Sequence, residues 1–322
     1  MKKIFTLAAV AAAFSLATPA MAASDFPSKP IEIIVPFSPS GATDLIARQI
    51  AEEMGKTLDQ AIIVTNRPGA SGAIGTNYVA KAAPDGYTLL LGVTTTHGIN
   101  PTFNTKLGYD PVKDFTPISL AATMPHVLLV NPDSPAKTLA DFIQAAKSAN
   151  PSFAYGSAGE GSPQHLAGEM LKASMDFDAV HVPYKGGGPA IVDLIGGQIQ
   201  FMSSGLSEAM PFITSNRLRA LSVAASEPVP GLDVPTFEQA GHPFELTAWY
   251  AFFGPAGMPE DVTKKLNDAI AAAAKTDRVK AAFANLHVTP VGSTPQALAQ
   301  HVENELARWS KAVQAAGVQS PL

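Results

Sequence analysis

From Ile31 onward, short β-branched or apolar runs alternate with stretches whose apolar residues recur at helical spacing, and that alternation confines the chain to an α/β fold. Ile31 to Phe37 reads as a buried strand, after which Ala47, Ile50, Ala51, Met54 and Leu58 share one helical face. Ala61 to Thr65 is a second strand, Ala73 to Ala83 a second helix closed by Pro84-Asp85-Gly86, and Tyr87 to Val93 a third strand. The pattern then restarts. Val127 to Val130, Phe153 to Gly156, Ala179 to Pro183, Ile199 to Ser203 and Leu218 to Ala224 read as strands. Helical segments between them include Leu139 to Ala149, Gln164 to Ala173 and Ala190 to Gly196. Ser226 to Gly241, rich in Pro and Gly, reads as a surface excursion. From Pro259 the chain is mostly helical, with Asp261 to Ala274 and Pro295 to Ala316 as long helices covering an earlier sheet. Two α/β lobes with a C-terminal return place a cleft between them, and ligands in open α/β sheets sit beyond the carboxyl ends of the strands.

The N-terminus sets the compartment. Lys2 and Lys3 precede an apolar run from Ile4 to Ala17, and Ala20-Met21-Ala22 supplies a small-x-small cleavage site, so residues 1–22 read as a signal peptide and the mature chain starts at Ala23. A membrane anchor needs about 20 apolar residues; this run stops at Thr18-Pro19. Export to a periplasm-like space follows, and with no cysteine in the chain neither a disulfide nor a lipidated cysteine is available. Removing Lys2 and Lys3 from 22 basic residues leaves 20 against 27 acidic, a mature balance of −7. That excludes the basic stripe of a nucleic-acid binder and leaves any anion site to local geometry.

Three turns after strands carry the candidate chemistry. In "VPFSPSGATDLIAR", residues 35–48, a strand runs through a Pro-Ser-Gly turn into a helix whose N-terminal N–H groups and positive dipole end can hold an anion. Gly41 is expected to take a backbone conformation closed to other residues, Ser40 or Thr43 to cap the helix, and Asp44 to stabilise its first turn. "GVTTTHG", residues 92–98, offers Thr94, Thr95, Thr96 and His97 to the cleft. "YGSAGEGSPQHL", residues 155–166, resembles a nucleophile elbow, but Tyr155 stands where that motif requires glycine two residues before Ser157. "YKGGGPA", residues 184–190, lacks the Gly-Lys-Ser/Thr of a phosphate loop, and Gly69, Gly72 and Gly75 are spaced by three and miss the dinucleotide pattern. The seven histidines make no His-Glu-x-x-His pair, so neither a metal nor another cofactor is expected. Binding turns without catalytic machinery favour a receptor over an enzyme.

The blocks "KPIEIIVPFSPSGATDLIAR", "VTNRPGASGAIGT", "APDGYTLLLG", "GYDPVKDFTPIS", "YGSAGEGSPQHLAGE", "HVPYKGGGPAIVDLIGGQIQF", "RALSVA" and "DVPTFEQAG" occur in this order over nearly the whole chain. In them the sequence resembles the substrate-binding proteins of tripartite tricarboxylate transporters, the Bug family. The resemblance implies a type II periplasmic binding fold: two α/β lobes joined by a two-crossover hinge, with the ligand cleft between them. Lobe 1 is expected to comprise residues 24–123 and 249–322, and lobe 2 residues 124–248. The resemblance further implies a small carboxylated ligand (a di- or tricarboxylate, an aromatic acid or an acidic amino acid), integral-membrane transporter subunits as partners, and two turns that pinch the ligand from opposite lobes. Where the family's first turn has Pro-Gly-Gly, this chain has Pro39-Ser40-Gly41. The candidate ligand-binding set is therefore Phe37, Ser38, Ser40, Gly41, Ala42, Thr43 and Asp44; Thr94, Thr95, Thr96 and His97; Ser157, Ala158, Gly159, Gly161, Ser162 and His165; and Ser203 and Ser204 at a strand end. Backbone N–H groups and hydroxyls, without a bidentate arginine, are expected to hold the carboxylate, in a monomer. Two alternatives stay open: an exported serine hydrolase using Ser157 and His165, and a binding protein that reports to a sensor kinase.

Overall fold

The computed structural model describes residues 26–104, 106–244 and 246–317; the expected signal peptide, residues 1–22, lies outside them. Along the chain come β1 (Ile31–Val35), α1 (Ala42–Leu58), β2 (Ile62–Asn66), α2 (Ala73–Ala80), β3 (Thr88–Val93), α3 (Asn100–Phe103) and β4 (Phe115–Val130). Then follow α4 (Leu139–Ser148), β5 (Phe153–Ser157), α5 (Pro163–Met175), β6 (Ala179–Pro183), α6 (Gly187–Ile195), β7 (Phe201–Gly205), α7 (Leu206–Thr214) and β8 (Arg219–Val223). The chain returns through β9 (Thr247–Pro255) and ends with α8 (Glu260–Lys275), α9 (Asp277–Asn285), β10 (Thr289–Pro290) and α10 (Pro295–Ala316). The α/β alternation is as the periodicity implies.

The strands join in the order β2-β1-β3-β9-β4-β7-β5-β6, with β8 and β10 also on β4. β1 is parallel to β2 and β3, and β5 is parallel to β6 and β7, as βαβ crossovers require. β4 carries the chain from one half to the other. Its residues Phe115 to Pro125 pair antiparallel with β9, and His126 to Val130 pair with β7 and β8. The sequence showed only the tail of this strand, Val127 to Val130; Pro117 and Pro125 lower the local strand preference of the rest. Pro117 sits at a register shift, where the ladder tolerates a residue without an N–H. β9, α7 and α9 also went unrecognised, and the first strand stops at Val35, short of Phe37.

Helices cover both faces of each half because their apolar stripes match the sheet. In α1, Ile46, Ala47, Ile50, Ala51, Met54 and Leu58 are buried, packing with Ile31, Ile33 and α8 residues Leu266 and Ile270. α10 straddles the halves: Leu298 and Val302 join the core of β3 and β9, whereas Trp309, Ala312 and Val313 join that of β5 and α5. Glu305, buried in the middle of α10, accepts the indole N–H of Trp249 on β9 (2.8 Å) and of Trp309 (3.0 Å), and pairs with Arg308 (2.8 Å). Losing that carboxylate would leave two indole N–H groups unpaired in the interior, a cost of about 1–3 kcal/mol each.

Candidate functional site

Where the two halves meet, a cavity of about 540 Å³ opens, a size that suits a small ligand. One half contributes Phe37, Gly41, Ala42 and Thr43 at the head of α1, with Thr94 and Thr95 after β3. The strands passing between the halves contribute Met124 and His126 on β4 and Ala248, Trp249 and Tyr250 on β9. The other half contributes Pro163 and Gln164 on α5, and Gly205, Ser207 and Glu208 at the head of α7. Among the described residues, no Lys or Arg lines it.

The first turn leaves helix donors facing the cavity. Gly41 is the N-cap of α1 and, lacking a side chain, caps none of the first-turn N–H groups. Its φ of −78° is ordinary, contrary to the expectation for this glycine. The left-handed residue is Ser40, at φ 68°, because the chain must reverse one residue earlier to start the helix. Ser38 and Ser40 are exposed beside the cavity and do not line it. Asp44 faces inward. Its Oδ2 accepts Ser40 N–H (3.0 Å) and Arg48 Nε (3.0 Å), and its Oδ1 accepts Asn66 Nδ2 (3.0 Å) and pairs with Arg48 Nη2 (2.9 Å). Burial alone would raise Asp44, but the bonds from Arg48, Ser40 and Asn66 take its carboxyl below the usual range. Asp44 is a brace that holds the turn and neutralises Arg48.

The second turn is not an open loop but a π-turn, Thr95–Ile99. Thr94 Oγ1 accepts the Trp249 N–H (2.8 Å), tying β3 to β9 at the cavity wall. Thr96 and His97 lie behind that wall. Thr96 Oγ1 accepts Val93 N–H (3.0 Å) and donates to Val93 O (3.1 Å), and the His97 ring stacks on Phe253 at 4.1 Å. Burial pushes His97 down to about 3. Their hydroxyl and ring shape the fold instead of facing the cleft.

The third turn also turns inward. Ser157 is fully buried, with its Oγ hydrogen-bonded to His181 Nε2 (2.6 Å) and accepting the Gly159 N–H (3.1 Å). Gly161 N–H donates to His165 Nδ1 (3.0 Å), and Ser162 Oγ caps α5 by accepting His165 N–H (3.2 Å). The rings of His165 and His181 stack 3.7 Å apart. Burial lowers both histidines, His181 to about 4 with a contribution from His165. Gly159, at φ +125°, is the residue whose backbone does require glycine. Ser157, Ala158, Gly159, Gly161, Ser162 and His165 therefore stand beside the cavity, and from this turn Pro163 and Gln164, between Ser162 and His165, line it. The partner of Ser157 is His181, from the neighbouring strand, and not His165, whose Nδ1 is already engaged. Ser203 and Ser204 are buried too, bonded to His126 Nδ1 (3.1 Å) and Glu208 Oε2 (2.9 Å).

Sequence reasoning missed Met124, His126, Gly205, Ser207, Glu208, Ala248, Trp249 and Tyr250, because β4 was read only from Val127 onward, β9 was not read as a strand and α7 was not read as a helix. A useful signal was present in "TAWYAFF", residues 247–253, an apolar run following the second set of strands. Burial pushes His126 down to about 4, helped by the nearby charge of Arg308, and Tyr250 up to about 12, so both face the cavity uncharged.

Residues 46–318 match the tripartite tricarboxylate transporter family receptor. The Bordetella pertussis protein BugT is 34% identical over 300 residues, covering 92% of this chain and 92% of BugT. Among solved structures, MatC of Rhodopseudomonas palustris with bound malate is 37% identical with a TM-score of 0.73, covering 89% of this chain and 100% of that one. A second R. palustris protein, solved with adipate, is 33% identical with a TM-score of 0.77, over 92% and 99% of the two chains.

Proposed function

We propose that this chain, which belongs to the tripartite tricarboxylate transporter receptor family of periplasmic solute-binding proteins, captures a small organic carboxylate in the cleft between its halves and delivers it to integral-membrane transporter subunits. One observation carries the reading: an uncapped helix N-terminus, α1, opens into a cavity built from both halves. Helix dipole and unpaired N–H groups suffice to hold a carboxylate there without a cation. The relatives solved with malate and adipate support the ligand class. The change of partner along β4 between Pro125 and His126 supports hinge limits near residues 123 and 249. Synthesis with a signal peptide at residues 1–22 would put the mature chain where such a receptor works. The family is one of receptors, and the enclosed Ser157 hydroxyl offers no nucleophile to a substrate in the cleft.

Thermal denaturation against a panel of small carboxylates tests the reading. A ligand at 100 times its Kd should add about 2.7 kcal/mol of stability. Ala42→Asp, which puts a fixed carboxylate at the head of α1, should weaken that ligand at least 100-fold with the fold retained. A panel with no stabilising member, or a ligand indifferent to Ala42→Asp, would overturn it.

A further inference from the structure

The cavity is electrostatically lopsided. At the α1 end it presents donors. On the other half the charged residue of its lining is Glu208, on the first turn of α7. Glu208 is held in place. Its Oε2 accepts the Ser204 hydroxyl at 2.9 Å, and its Oε1 rests against Gly187, where any Cβ would collide with it. Among the described residues no lysine or arginine lines the wall to offset this charge, and Arg48 is engaged by Asp44 and Asn66. Phe37 and Tyr250 add aromatic side chains to the same lining. His126 offers no positive charge either.

We infer that Glu208 makes this receptor select carboxylates that also bear a protonated nitrogen, amino acids and amino-carboxylates, over dicarboxylates. The inference rests on the cleft being the solute site. The carboxylate of such a ligand meets the N–H groups of α1, and its ammonium donates to Glu208. A second carboxylate in the same place would face Glu208 with no cation between them, and closure of the cleft would strengthen the repulsion by removing water.

Calorimetry on the full mature protein with matched pairs tests this: β-alanine against succinate, and δ-aminovalerate against adipate, in which an ammonium replaces one carboxylate. The wild type should prefer the amino-carboxylate of at least one pair tenfold or more. Glu208→Gln, which keeps the side-chain shape and a partner for Ser204, should shrink that preference at least tenfold, chiefly by strengthening the dicarboxylate. Glu208→Ser should do the same. Tighter dicarboxylate binding by the wild type, or a preference that survives both substitutions, would overturn the inference while leaving the solute site intact if Ala42→Asp still abolishes binding. Failure of every carboxylate to bind would overturn the solute site and the selectivity together.

Discussion

The turn at the head of α1 and the turn at the head of α5 look interchangeable in sequence. Each follows a strand, each mixes Ser with Gly, and each opens a helix. In the fold they differ in who uses their donors. At α1 the cap is a glycine, the Asp44 carboxylate is bent back onto Arg48 and Asn66, and the first N–H groups open on the cavity. At α5, Ser162 caps the helix, His165 takes the Gly161 N–H, and Ser157 is enclosed between Gly159 and His181. In the proposed reading the first turn meets the ligand, whereas the second holds its own shape. A helix N-terminus is an anion site only while its donors are unclaimed.

The sharpest test of that contrast sets Ala42→Asp, with its expected 100-fold loss of affinity, beside Ser157→Ala. The second substitution should cost about 1–3 kcal/mol of stability, because His181 Nε2 and the Gly159 N–H lose a buried partner. Its effect on affinity should be under tenfold. Denaturant unfolding and calorimetry on both proteins measure this, and a Ser157→Ala variant of unchanged stability and lost affinity would place the hydroxyl in the ligand shell after all.

Acid should separate the turns further. His165, His181, His97 and His126 all have folded pKa values below the ordinary histidine value. The unfolded chain therefore takes up protons first, from about pH 6.5 downward. Stability is fully present above that pH and is lost as the pH falls toward about 4, the folded value for His126 and His181. Each pKa unit corresponds to about 1.4 kcal/mol for the fully enclosed rings, and less for the half-buried His181. Asp44 is lowered too, so its contribution is likewise lost on acidification, but only below the ordinary carboxylate value, and the α1 brace stays charged through the histidine window. Hydrogen exchange at pH 7 and pH 5 should show amides 157–165 losing protection before amides 38–48. The reverse order would break the comparison.

The smallest effect concerns Ser40, held at φ 68° where an L-residue is strained. Ser40→Gly should stabilise the protein by about 0.5–1 kcal/mol after the added freedom of the unfolded chain is subtracted. Affinity should stay within twofold, because the Ser40 N–H bond to Asp44 is retained. Denaturation midpoints check the first statement and calorimetry the second.

Much of the architecture was legible because its causes are local. The stripe Ala47, Ile50, Ala51, Met54, Leu58 makes a helix wherever it is placed, and β-branched runs such as Ile31 to Val35 make strands. The head of α1 was legible for the same reason: a strand end, a turn and a helix start lie within fourteen residues. β4 was not, since its prolines lower local strand preference and only pairing with β9 overrides them.

The sequence by itself determined the α/β alternation, the family likeness and the places where helices begin after strands, because these depend on neighbours a few residues apart. Only the tertiary structure decided which of those beginnings face the cleft and which are already satisfied. Asn66 reaches Asp44 across 22 residues, His181 reaches Ser157 across 24, and the Trp249 N–H reaches Thr94 across 155. A hydrogen-bond donor is identical in the sequence whether it is free or claimed, and the claim comes from residues that only folding brings near.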